Sequence, residues 1–149
     1  MKIRKIVTAL LLVSVIWAME GQVWAEQKIN INVKTVLASH GRKYSDPLLT
    51  AFINKLKSIF RYSSYQLLSQ NEMRLGIGET RTASLAGDRT LKITALGIRE
   101  ARAELRLVIF KKRKRIFKTI IHLLNNASII VGGPKYKDGF LLFNIYGSF

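Results

Sequence analysis

The most conspicuous candidates for chemistry in this sequence are five consecutive basic residues in its second half. They are Lys111, Lys112, Arg113, Lys114 and Arg115. Adjacent cations repel one another unless water or an anionic partner neutralises them. The cluster is therefore interpreted first as a solvated loop, and contact with an anionic surface is the functional alternative.

Histidine, cysteine and serine provide no recognisable catalytic or metal-binding arrangement. His40 lies in a polar segment and His122 in an apolar run, and neither belongs to a His-x-x-x-His or Glu-x-x-His pair. The chain contains no cysteine, which excludes thiol chemistry and thiolate ligands. Ser39 precedes His40, but neighbouring side chains of an extended segment point apart. We therefore expect no catalytic residue, no metal ion and no cofactor.

The carboxylates are scattered, and several of them have a local structural explanation. Asp46 precedes Pro47, as expected of a helix cap, while Asp88 and Asp138 lie in predicted turns. Gly76 and Gly78 lack the third glycine of a phosphate-binding loop and indicate an irregular strand. A small hydrolase that uses paired acids is the least favoured of the functional hypotheses.

Residues 1–25 have the pattern of an export signal. A basic start, with Lys2, Arg4 and Lys5, precedes an apolar run over residues 6–19, and Val23 and Ala25 fit a cleavage site after Ala25. The run is shorter than the roughly 20 residues that a spanning helix needs. We therefore predict a signal peptide, with an uncleaved membrane anchor as the alternative and a buried helix as a third interpretation.

Cleavage would leave residues 26–149 as one strongly basic domain in the periplasm or outside the cell. It removes Lys2, Arg4, Lys5 and Glu20, so the formal charge of +16 becomes +14. Such a charge favours polyanionic partners, which for an exported protein are anionic lipid, lipopolysaccharide, acidic polysaccharide or extracellular nucleic acid. A generally basic, solubilising surface without a dedicated partner is the alternative. Intracellular nucleic acid is not expected as a partner of an exported protein.

The first half of this domain predicts a strand followed by one helix. Residues 28–37 alternate apolar and polar side chains, which is typical of a half-buried strand. Asp46 and Pro47 then predict the start of a helix. Its apolar stripe comprises Leu48, Leu49, Phe52, Ile53, Leu56, Ile59 and Phe60.

The rest of the chain predicts short strands. Aromatic and alternating residues indicate strands over 62–69, 73–77, 91–95 and 103–109, with a turn at 86–89. Residues 99–124 also contain a helical periodicity, but β-branched residues and the five adjacent cations favour two strands with residues 111–115 at the tip.

The C-terminal residues predict a further hairpin, and together the elements predict an α+β domain. Residues 127–131 and 140–146 are rich in strand formers, Gly132-Gly133-Pro134 is expected to break the first strand, and residues 137–139 form a turn. The expected domain has one amphipathic helix, over residues 48–60, packed on the apolar face of a mainly antiparallel, meandering β-sheet.

Two segments carry a resemblance to known proteins. They are Tyr62-Ser63-Ser64-Tyr65-x-Leu67-Leu68 and Val131-Gly132-Gly133-Pro134-x-Tyr136-x-Asp138-Gly139-x-Leu141-Leu142. They resemble small, exported, functionally uncharacterised bacterial proteins with a signal peptide and one β-rich domain, and this likeness implies no catalytic residue. The second segment is also similar to a hairpin of the secretin channels, from which it departs at Pro134.

The function expected from the sequence is therefore binding or structural association in the bacterial envelope, without enzymatic activity. Contact of residues 111–115 with an anionic surface is the first hypothesis. The alternative is an accessory component of an envelope or secretion assembly, which would contact a protein partner through a sheet edge.

Overall fold

The computed structural model describes residues 26–56 and 58–149, and this part of the chain contains nine strands and one short helical segment. The predicted signal peptide or anchor lies outside the described residues. The strands are β1 (Lys28–Ser39), β2 (Tyr44–Ser45), β3 (Ser64–Gly76), β4 (Thr80–Leu85), β5 (Arg89–Arg99), β6 (Arg102–Lys111), β7 (Lys114–Leu124), β8 (Ala127–Tyr136) and β9 (Gly139–Ser148). The helical segment comprises a 3-10 turn, Pro47–Leu49, and α1, Thr50–Leu56.

The strands form two sheets rather than the single sheet expected from the sequence. One sheet has the order β2-β3-β1-β9-β8 and the other β4-β5-β6-β7, and every pairing except that of β2 with β3 is antiparallel. Their inner faces share one core, in which Ile31, Ile93, Leu107 and Phe143 are buried. The second sheet, and not the helix, covers most of the apolar face of the first, because two alternating apolar faces bury each other.

The helix covers one end of the outer face of the five-stranded sheet. The predicted cap is confirmed, since Asp46 Oδ1 accepts a 3.0 Å hydrogen bond from the Leu48 amide and Pro47 opens the first turn. Phe52, Ile53 and Leu56 are buried against this sheet. The helix ends at Leu56, earlier than predicted, and it leaves two members of the predicted stripe exposed. These are Leu48 and Ile59.

The hairpin over residues 99–124 is confirmed, with β6 and β7 paired antiparallel from Arg102–Leu124 to Lys111–Lys114. The predicted break at Gly132-Gly133-Pro134 is wrong, because β8 continues through these residues with a register shift between Gly132 and Lys135. A proline is tolerated there because β8 is the last strand of its sheet.

In the described part of the chain, no helix has both the length and the apolar character required to cross a membrane.

Candidate functional site

Three hairpin turns and one loop meet at the same end of the two packed sheets. The Lys112 amide donates a 3.1 Å hydrogen bond to the Asp88 carbonyl oxygen, which joins the β6–β7 turn to the β4–β5 turn. Arg89 Nη2 donates a 3.2 Å hydrogen bond to the Lys135 carbonyl oxygen, close to the β8–β9 turn. The loop that follows β1 lies beside that turn, since Ser39 pairs with Gly139.

The predicted cluster 111–115 lies at this end. Lys111 and Lys114 form the last cross-strand pair of the β6–β7 hairpin, and Lys112 and Arg113 form its turn. All five side chains of the cluster are exposed. The sequence thus located the hairpin tip correctly, and binding of an anion there stays a prediction.

The structure adds cations that sequence reasoning did not connect with this cluster. We call the whole end the basic pole, and it contains Arg42, Lys43, Arg89, Lys111, Lys112, Arg113, Lys114, Arg115, Lys135 and Lys137. Asp88 and Asp138 are the acids in its turns. The added cations are distant in sequence from residues 111–115. The only sequence signal for their position is the alternation of apolar and polar residues, which predicts turns at 86–89 and 137–139.

The acidic residues that form ion pairs lie at the opposite end. Lys28 Nζ is 3.3 Å from Glu26 Oε2, and Arg81 Nη2 is 2.6 Å from Glu79 Oε1. Across residues 26–56 and 58–149, no cation of the basic pole forms an ion pair. The positive charge of the pole is therefore left for solvent or a partner to neutralise.

Arg89 holds the turns of the basic pole together. It is 9% exposed and donates hydrogen bonds to the carbonyl oxygens of Ala86, Gly87 and Lys135. Its guanidinium carbon lies 4.8 Å from the centre of the Tyr136 ring. A buried arginine with several carbonyl partners acts as a structural clamp, and the exposed cations around it are the residues available to a ligand.

Basic residues continue from the pole along the outer face of the four-stranded sheet. We call this surface the basic face, and its cations are Lys92, Arg106, Arg115 and Lys118. Cross-strand pairing places Lys92 and Lys118 on either side of Val108. It also places Arg115 opposite Phe110. Lys92 Nζ lies 5.1 Å from the centre of the Phe110 ring. The side chains of Phe110, Val108 and Ile120 are partly or fully exposed between these cations. This face therefore offers both positive charge and apolar contact.

The two histidines considered from the sequence lie towards opposite ends of the two sheets. The His40 ring lies 5.0 Å from the Tyr62 ring, and His122 is exposed on β7 opposite Glu104. Ser39 is buried at the end of β1. Within the described ranges, no three side chains among His, Asp and Glu lie close enough together to hold a metal ion.

Comparison with known protein families, curated proteins and solved structures found no match. The functional proposal therefore depends on the geometry of the basic pole and the basic face.

Proposed function

We propose that this protein is an exported, non-enzymatic envelope protein that binds an anionic surface through the basic pole and the basic face. The observation that carries the proposal is the gathering of cations from three hairpin turns at one end, while the ion pairs of the described residues lie at the other. Such a separation orients the molecule, because an anionic surface attracts the pole first.

Anionic lipid headgroups, including those of lipopolysaccharide, are the partner that fits this arrangement best. Basic side chains near a negatively charged membrane contribute about 1 kcal/mol each. Partly exposed apolar side chains between the cations, such as Phe110 and Ile120, add contact with the boundary between headgroups and acyl chains. A soluble acidic polysaccharide would use the cations but would gain little from these apolar groups.

Sedimentation with lipid vesicles tests the proposal. The full chain is mixed with vesicles that contain phosphatidylglycerol and, separately, with vesicles of phosphatidylcholine alone. The test variant replaces Lys112, Arg113 and Lys114 with glutamine. The matched control makes the same change to glutamine at three exposed arginines outside the pole, so that both variants lose the same charge. These are Arg74, Arg99 and Arg102.

We expect the pole variant to bind phosphatidylglycerol vesicles at least about tenfold more weakly, and the control variant to bind within about twofold of the unmodified chain. Residues 1–25 are common to all variants, so their contribution cancels in the comparison. Equal losses in the two variants would show that total charge, and not the pole, determines binding.

The proposed export has its own test. Cell fractionation with N-terminal sequencing should give a protein that begins at Glu26 in a soluble envelope fraction. An intact N-terminus at Met1 in the membrane fraction would support the uncleaved anchor instead, and recovery from the cytoplasm would overturn export.

A second function, as an accessory component of an envelope assembly, is favoured by the edge of β3. Strand β2 pairs only with Ser64 and Tyr65, so in the described structure the remaining length of β3, up to Gly76, has one unpaired edge. An edge of this kind can accept a strand from another protein. Co-purification with a membrane complex that survives high salt would support this function over binding by charge.

A further inference from the structure

A groove runs beside the helix, along the outer face of the five-stranded sheet. Its volume is about 400 Å³, and its walls include Lys34, Leu48, Lys55, Ile59, Ile130 and Asn144. The helix forms one wall and strands β1, β8 and β9 form the other.

Two large apolar side chains at the rim of this groove are exposed to solvent. Leu48 is 72% exposed and Ile59 is 67% exposed, although both belong to the apolar stripe of the helical segment. Ile130 lines the same groove and is partly buried. Exposed apolar area costs about 25 cal/mol per Å² relative to burial, so a ligand that covers these side chains gains free energy.

The charges of the groove are of one sign. Lys34 comes from β1 and Lys55 from α1, and among the residues that the structure describes no carboxylate lines the groove. Asn144, the cross-strand partner of Lys34, has a buried Oδ1 without a hydrogen-bond partner among the described residues. Rotation of this carboxamide by half a turn presents an N–H donor in the same place, so the groove combines two cations with one amide donor.

We propose that this groove binds one molecule of an anionic amphiphile, with its acyl chain along Leu48, Ile59 and Ile130 and its head group between Lys34 and Lys55. A carboxylate and a phosphate both fit the head-group position, because each accepts hydrogen bonds from lysine and amide donors. This site takes a dissolved single molecule, whereas the basic pole contacts a surface, and the groove's lining residues include none of the cations of the basic pole.

Titration calorimetry with dodecanoate and with dodecyl phosphate, each below its micelle concentration, tests the inference on the full chain. One variant carries Leu48→Ser and Ile59→Ser, and a second carries Lys34→Gln and Lys55→Gln. The matched control carries Ile77→Ser and Leu124→Ser, which remove two exposed apolar side chains elsewhere. Dodecyl maltoside supplies the same chain with a neutral head group. Thermal melts verify that every variant folds.

We expect saturable binding of one molecule per chain, weakened at least about tenfold in both groove variants and changed less than about twofold in the control. Preference for dodecanoate would identify a fatty acid as the ligand class, and preference for dodecyl phosphate would identify a phospholipid. Equal binding of dodecyl maltoside, or unchanged affinity in the Leu48→Ser, Ile59→Ser variant, would overturn the inference.

The variant with glutamine at residues 112–114 separates this inference from the proposed function. It should bind the amphiphile as the unmodified chain does, even though it binds anionic vesicles weakly. Loss of amphiphile binding in that variant would place the ligand at the basic pole and would overturn the groove assignment.

Discussion

The guanidinium carbon of Arg89 lies 4.8 Å from the centre of the Tyr136 ring, and this contact joins the two sheets at the basic pole. Arg89 begins β5 in the four-stranded sheet, and Tyr136 ends β8 in the five-stranded sheet. The nearby hydrogen bond from Arg89 to the Lys135 carbonyl oxygen spans 46 residues of sequence. The positions of the exposed cations of the basic pole therefore depend on the buried side chain of Arg89.

We predict that Arg89→Met lowers the free energy of unfolding by about 2–3 kcal/mol, because it removes a desolvated cation–π contact and charge-assisted hydrogen bonds. Lys92→Met is the matched control, since the Lys92 ammonium also lies over an aromatic ring but is exposed. It should cost less than about 1 kcal/mol. Urea denaturation of both variants measures the difference, and equal costs would mean that Arg89 does not clamp the turns.

The local elements of this fold could be predicted because their signals lie within a few residues. Asp46 followed by Pro47 marked the helix start, and the alternation over residues 103–109 gave a strand with Leu105 and Leu107 inside. The cluster 111–115 fell at a hairpin tip because five adjacent cations need solvent. Each of these results follows from neighbouring residues.

The assembly of the elements could not be predicted in the same way. Strand β1 pairs with β9, from the opposite end of the described chain, and no pattern in a single sequence specifies such a distant partner. Without this pairing, the helix was the element predicted to cover the apolar faces of β5 and β6. The basic pole was missed for the same reason, since Lys135 meets Arg89 only when the two sheets pack together.

Gly139 should be intolerant of a side chain. A Cβ atom at this position would collide with the Ala38 carbonyl oxygen of the paired strand. We expect Gly139→Ala to destabilise the protein by roughly 1–3 kcal/mol, the usual cost of forcing atoms into a packed site. Gly97→Ala is the control, because no atom lies within 4 Å of its added Cβ. A stability change within about 0.5 kcal/mol for both variants, measured by thermal unfolding, would contradict this prediction.

Tyr65 should make the stability of the protein depend on pH in alkaline solution. Burial raises the pKa of its phenol above the ordinary value of 10.0, and its hydroxyl donates a 3.2 Å hydrogen bond to the Phe60 carbonyl oxygen. The folded protein keeps this phenol protonated at a pH where the unfolded chain ionises it. The stabilisation is therefore complete below pH 10 and is lost as the pH rises through the folded pKa.

The variant Tyr65→Phe isolates this effect, because it removes the phenol hydroxyl of residue 65 and leaves every other ionisable group in place. We expect it to cost about 1 kcal/mol at neutral pH through the lost hydrogen bond. Above pH 10 the difference in the free energy of unfolding between this variant and the unmodified chain should shrink. Ionisation of Tyr65 in the unfolded state lowers the stability of the unmodified chain alone. Urea denaturation across pH 8–11 measures this difference, with Tyr44→Phe, an exposed site, as the control. A constant difference would contradict the prediction.

Salt should affect the two proposed binding sites differently. Raising NaCl from about 0.1 M to about 1 M shortens the Debye length from about 10 Å to about 3 Å, which screens exposed charges. The cations of the basic pole are exposed, so binding to phosphatidylglycerol vesicles should fall at least about tenfold over this range. In the groove, the acyl chain supplies much of the binding free energy, and salt does not screen apolar contact. Amphiphile affinity should therefore fall less than vesicle binding does, and by no more than the roughly tenfold that Lys34 and Lys55 contribute. An equally steep fall at both sites would mean that charge dominates the groove as well.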